Sequence, residues 1–153
     1  TTHLNLPFFD AAHRDIADAT RGSLDVNVLP PDRNGVLSAL SILKGNGVVA
    51  VFPDEKRGDT MMAPLFGRPP HIKGNLALVA KLARRTGAQI VIVHCERLEG
   101  VRFRLHFEEP FHMTPDSDGI FADVARLNSL IEPIILRQLD QWYYLDDSIG
   151  PIQ

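Results

Sequence analysis

Two acids and two bases stand side by side at Asp54-Glu55-Lys56-Arg57, followed by Gly58. Carboxylates beside cations and a flexible glycine can orient a phosphate or steady a catalytic group, because charge-assisted hydrogen bonds fix geometry as well as adding energy. The quartet belongs to a wider pattern. Between residues 56 and 85, Lys56, Arg57, Arg68, Lys73, Lys81, Arg84 and Arg85 face a single acid, Asp59, a local net charge of +6 in a chain whose total is −3. Such a segment points to a local anionic partner rather than to bulk nucleic-acid binding. Lys81, Arg84 and Arg85 also suit a helix C-terminus, where cations complement the dipole.

Other chemistries are excluded or disfavoured. Cys95 directly follows His94 on an expected strand, where neighbouring side chains point to opposite faces, so a thiol–imidazole pair is not expected and the cysteine reads as structural. The six histidines, at 3, 13, 71, 94, 106 and 112, include no i, i+4 pair and no ligand cluster, so no metal is expected. No Gly-rich phosphate or dinucleotide fingerprint occurs, and no cofactor is expected. His13 with Asp18 and His94 with Glu99 fit a His-x4-acid spacing, but on a helix an i, i+5 pair is splayed by about 140°. Both are rejected as catalytic pairs.

The elements that must position the quartet follow from composition and periodicity. At 153 residues, 44% hydrophobic and 23% charged, the chain reads as a single α/β domain over 1–153 with its own core. One cysteine excludes an internal disulfide framework, and no apolar run reaches the ~20 residues of a membrane-spanning helix. A weakly periodic helix is expected over 8–20 and a short strand over 25–29, stopped by Pro30-Pro31. A helix follows to Lys44, with Asn34 as N-cap and Val36, Leu37, Leu40 and Leu43 at helical spacing. Residues 47–52 form a continuous apolar run, the signature of a strand buried on both faces. Loop residues fill 53–70, directly after the strand end where α/β folds carry their functional loops.

Beyond the loop, a helix is expected over 73–85 with Gly87 at its end, then a buried strand over 88–94. Residues 101–107 alternate strictly and read as its hairpin partner, with Arg102, Arg104 and His106 outward. A last helix, 120–139, carries Val124, Leu127, Ile131, Ile134 and Ile135 on one stripe and is expected to kink or split at Pro133. The whole reads as a mixed, mostly parallel sheet flanked by helices.

Three segments in this order carry a family likeness: Leu40-Ser-Ile-Leu-Lys44, Gly47-Val-Val-Ala-Val-Phe-Pro-Asp-Glu-Lys-Arg-Gly58, and Ala63-Pro-Leu-Phe-Gly67. With Gly74 to Val93, Ile131-Glu132 and Gln141-Trp142-Tyr143-Tyr144, the chain over roughly 35–145 resembles the bacterial lipid A biosynthesis acyltransferases, relatives of the lysophospholipid acyltransferases. The resemblance implies half of a glycerolipid-acyltransferase-like fold. It also implies transfer of a fatty acyl chain from acyl carrier protein, or acyl-CoA, to a hydroxyl of a lipid A precursor. The family's His-x4-acid signature lies well upstream of the strand matching residues 48–52. The chain is therefore expected to be the C-terminal part of a longer enzyme, without its catalytic histidine segment and N-terminal membrane anchor.

On this reading Asp54 is the catalytic-site carboxylate, and Glu55, Lys56, Arg57, Gly58 and Arg68 bind substrate, the two arginines holding phosphate of a glycolipid acceptor or the acidic carrier. The expected location is the cytoplasmic face of the bacterial inner membrane, reached through the N-terminal segment. A rival reading is a non-catalytic α/β module that binds an anionic lipid or acidic protein. A glycerophosphate acceptor is disfavoured, since Asp54-Glu55-Lys56-Arg57 stands where Glu-Gly-Thr-Arg would follow Phe52-Pro53.

Overall fold

The fold is mixed α/β, and the strands among the described residues are shared among three small sheets rather than gathered into one. The computed structural model describes residues 2–4, 12, 15, 16, 19, 20, 27–57, 60–113 and 119–144. The expected 8–20 helix and Gly58 lie wholly or largely outside the described residues. The chain divides into two compact units, Thr1–Phe52 and Pro53–Gln153.

In the first unit, β1 (Thr2–Leu4) pairs in parallel with β2 (Asn27–Leu29) and with β3 (Val49–Ala50), giving the order β2-β1-β3. Helix α1 (Arg33–Lys44) packs against β2 and β3. Its N-cap is Asp32, two residues before the expected Asn34. The Asp32 carboxylate accepts the N–H groups of Asn34 (2.8 Å) and Gly35 (3.0 Å), satisfying two orphan donors of the first turn. Gly35 is forced by close approach, because a Cβ there would lie 1.9 Å from the Pro30 carbonyl oxygen. The 47–52 run shortens to the two paired residues of β3, and Val48 and Phe52 remain exposed. Burial on both faces needs a layer on each side, and α1 is the helix that packs here among the described residues.

The second unit contains β4 (Lys56–Arg57) and β5 (Thr60–Met61), an antiparallel pair, then α2 (Gly74–Thr86). The antiparallel hairpin of β6 (Val93–Arg97) and β7 (Phe103–Phe107) follows, then α3 (Ile120–Arg137) and a 3-10 turn, Leu139–Gln141. Gly87 closes α2 in the left-handed conformation, as its position after the periodic stretch requires. Helix α3 runs unbroken through Pro133. The core lies between α2 and α3: Leu76, Ala77, Ala80 and Ala83 meet Val124 and Leu127, with Met113 between them. Small residues on α2 let the helices approach closely. Arg84 reaches across to Asp123, a carboxylate only 1% exposed, and that contact holds the arginine above its ordinary pKa.

A mostly parallel sheet is therefore not what the described residues form. Parallel pairing is confined to β2-β1-β3, while the Glu99-Gly100 turn folds β6 and β7 into a hairpin and makes that pairing antiparallel. The strand expected over 88–94 begins only at Val93. Ile90 still bridges Phe111, and both side chains pack on the α2/α3 core. Further along, Phe103, Leu105 and Phe107 are 61%, 60% and 69% exposed, so the apolar side of the alternation is not an inward face among the described residues.

Candidate functional site

The loop from Pro53 to Pro70 is short of regular structure yet densely bonded. Asp54 accepts the indole N–H of Trp142 at 2.9 Å, across 88 residues of sequence. Glu55 turns the other way and is 4% exposed. Its Oε1 accepts the backbone N–H of Asn75 at 3.1 Å, in the first turn of α2, and receives Arg57 through Nε (3.1 Å) and Nη2 (3.0 Å). A carboxylate at a helix N-terminus satisfies an orphan N–H and complements the dipole. Gly74 makes the approach possible: its φ is +81°, and a Cβ would lie 3.1 Å from Glu55 Oε1 and 3.0 Å from Met62 Cβ.

Phe66 is the second fixed point. It holds φ +59°, a left-handed conformation uncommon for an aromatic residue, and Gly67 follows at φ +77°. Two contacts hold it there. Its N–H donates to Glu132 Oε2 on α3 at 2.6 Å, and its ring meets Trp142 edge-on at 5.7 Å between centroids. Beneath it Met61, Ala63, Leu65 and Ile135 form a buried cluster, with Ile131, Leu139 and Trp142 packed around it.

Arg68 closes the loop. Its Nη1 donates to the Met61 carbonyl (2.9 Å), its Nε to the Leu65 carbonyl (3.1 Å), and its Nη2 to the Ala63 carbonyl. Burial pulls its pKa below the ordinary guanidinium value. Three of its five N–H groups are thus spent on backbone carbonyls of its own loop.

Of the residues singled out from sequence, the structure brings Asp54, Glu55, Lys56, Arg57 and Arg68 into one loop but gives them different surroundings. Asp54 is half-buried against Trp142. Glu55 caps α2. Lys56 is half-buried, and the Arg57 side chain is 63% exposed while bound to Glu55. Arg68 is engaged with three carbonyls.

Sequence reasoning gave no role to Glu132, Gln141 or Trp142, although it marked both segments that contain them. Gln141 clamps the end of β6, accepting the Arg97 N–H at 2.7 Å and donating to the Arg97 carbonyl at 3.3 Å. Adjacent Gln141 and Trp142 therefore tie the C-terminal turn to β6 and to Asp54. The signal available was the tryptophan directly after a helix, whose indole N–H needs a partner when partly buried.

On the β6–β7 hairpin, His94 and His106 occupy opposed positions and stack at 4.5 Å between centroids. His94 Nε2 lies 3.1 Å from Glu108 and His106 Nε2 lies 2.9 Å from Glu96. His94 thus faces Glu108 and not Glu99, and Cys95 is exposed, paired in register with Leu105. No group of three or more metal-ligating side chains occurs among the described residues, and no described helix is long and apolar enough to cross a membrane.

The class that these features define is an α/β platform whose polar loop is clamped by the C-terminal helix and the turn after it. The profile of the bacterial lipid A biosynthesis acyltransferases matches residues 15–148, and the chain belongs to that family. No curated protein matches the chain.

Proposed function

We propose that the chain forms the carboxylate side of an active site that moves a fatty acyl group from a carrier-protein or coenzyme A thioester to a hydroxyl of a phosphorylated lipid A precursor. In that reaction the acceptor oxygen attacks the thioester carbonyl, the C–S bond breaks, and the departing sulfur takes up the proton. A histidine base, implied by the family resemblance, relays that proton. Asp54 orients and stabilises the charged base. Family membership supports acyl transfer in lipid A biosynthesis. The observation that supports Asp54 is its hydrogen bond to Trp142, which fixes the carboxylate on a loop already pinned at Phe66 and Arg68.

Within this reading Lys56 and Arg57 attract anionic substrate at the loop surface, while Glu55 and Arg68 hold the loop in shape. Lys73, Lys81 and Arg85 extend the positive surface along α2, as an acidic carrier would require. Contact with the cytoplasmic face of the inner membrane is part of the proposal, since the acceptor is a membrane lipid.

The test is acyl transfer by the enzyme that carries this chain, with acyl-carrier thioester and a lipid A precursor. Arg57→Gln is expected to raise KM for one substrate severalfold with little change in kcat. Unchanged kinetics would remove Arg57 from substrate binding. Binding of the anionic lipid without any turnover by the intact enzyme would favour the non-catalytic module.

A further inference from the structure

The β6–β7 ribbon has two outer edges, and they differ. Leu98 donates its N–H to the Arg102 carbonyl, and Glu108 donates to the Ile92 carbonyl, both at 2.9 Å. The register runs from Val93↔Phe107 to Arg97↔Phe103. Antiparallel alternation therefore turns the even-numbered N–H and C=O groups inward and the odd-numbered ones outward. On β6 the outward groups of Arg97 are taken by the Gln141 amide, at 2.7 and 3.3 Å. On β7 the outward groups of Phe103, Leu105 and Phe107 have no partner among the described residues. An open edge is a template for pairing with another chain, and natural edges are blunted by proline, lysine or a bulge. Residues 103–107 contain neither proline nor lysine, and their register is unbroken.

This edge is complementary to itself. An antiparallel copy in full overlap with β7 is centred on its middle residue, Leu105. Phe103 and Phe107 then lie opposite the partner's Phe107 and the partner's Phe103, and Arg102 lies opposite the partner's Glu108. Even-numbered residues take the non-hydrogen-bonded positions of the new ladder, where side chains come closest. Both charges are available. Arg102 is exposed and reaches only the Glu99 carbonyl, at 3.4 Å, while Glu108 meets His94 yet is 43% exposed. Arg104 falls opposite the partner's His106, and within each chain both residues already share the Glu96 carboxylate, at 3.4 and 2.9 Å. A shift in either direction shortens the overlap, and centring on Arg104 would set two arginines face to face. On the other face the exposed Phe103, Leu105 and Phe107 each gain an apolar neighbour, aromatic against aromatic at both ends.

We infer that the β7 edge is a homodimer interface, at which two copies of the chain join antiparallel about Leu105 into one continuous sheet. The interface uses neither Asp54 nor the 53–70 loop, so it stands apart from the acyl-transfer reading. Its contacts are isologous and consume the open edge of both copies, so association stops at two. One strand pair buries less than a standard interface, and the dimer is accordingly weak, with Kd on the order of 10–100 μM.

Sedimentation velocity of the 153-residue chain, over about 1–500 μM, tests this. The parent is expected to pass reversibly from monomer to dimer. Arg102→Glu alone, or Glu108→Arg alone, sets like charges opposite each other twice in the interface and should weaken dimerisation about tenfold. An equimolar mixture of the two variants again faces acid with base at both positions and should dimerise at the parent's affinity or better. Both residues lie on the face opposite Phe103, Leu105 and Phe107, so a dimer stacked through that apolar face would ignore these changes. A parent that stays monomeric, a parent that assembles beyond the dimer, parental affinity in Arg102→Glu, or no recovery in the mixture would each overturn the assignment.

Discussion

Trp142 contributes one proton to this site, the indole N–H that Asp54 accepts. Trp142→Phe keeps most of the ring contact with Phe66 and removes only that donor. If Asp54 works through its orientation, kcat falls about tenfold while KM stays near its original value, since the lost interaction is one of geometry in the transition state. A merely structural tryptophan would lower Tm and leave kcat per folded enzyme intact. Glu132 is the second such residue. Glu132→Gln removes the charge that the Phe66 N–H donates to and is expected to cost about 1–2 kcal/mol in urea denaturation, with a larger loss for Glu132→Ala. Phe66 needs that anchor because its left-handed backbone is held at a cost of roughly 1–2 kcal/mol. At this scale the sequence was half legible. Asp54 stood out because acids at strand ends carry chemistry. Trp142 and Glu132 did not, because a hydrogen bond across 88 residues, or across 66, leaves no local pattern.

The elements divide the same way. Helices α2 and α3 were readable from their 3.6-residue stripes and from Gly87, since those signals are local. The sheets were readable only in part: the hairpin pairing of residues 101–107 followed from their alternation, but a mostly parallel sheet is not what the described residues form. Apolar runs say that a strand can be buried, and pairing direction depends on which strand arrives beside it; the Glu99-Gly100 turn decided this for β6 and β7. The α1 cap falls at Asp32 because two capping residue types stand two positions apart, and Asp32 is the one with extended backbone whose carboxylate accepts the N–H groups of Asn34 and Gly35. Two predictions belong here. Asp123 is buried on α3 and held by Arg84 on α2, so Arg84→Met leaves a buried carboxylate without its arginine and should lower Tm by roughly 5–10 °C. The second concerns the hairpin. The hydrogen bond from His106, with help from Arg104, holds the Glu96 carboxyl below its ordinary value of 4.5. A depressed folded pKa stabilises above the unfolded value and is lost as pH falls through the folded one. Amide exchange of β6 and β7 should therefore accelerate as pH drops below about 4.5, after correction for intrinsic rates, and His106→Ala should flatten that dependence.

Across the whole chain, the local charge of +6 resolves into parts with separate tasks. Arg68 is committed to backbone carbonyls and Arg84 to Asp123, whereas Lys73, Lys81 and Arg85 stay on the exposed surface with Arg57. Charge counting located the basic segment but could not separate structural cations from surface ones, because that distinction lies in burial. Family membership supplies the activity class, and the loop's clamps supply the residue to test. The most direct measurement is kcat for acyl transfer by the enzyme carrying this chain after Asp54→Asn, a change that keeps shape and removes charge. With circular dichroism and Tm near those of the parent, the account requires a loss of about a hundredfold or more. A folded Asp54→Asn enzyme that transfers the acyl chain at the parent rate would contradict it.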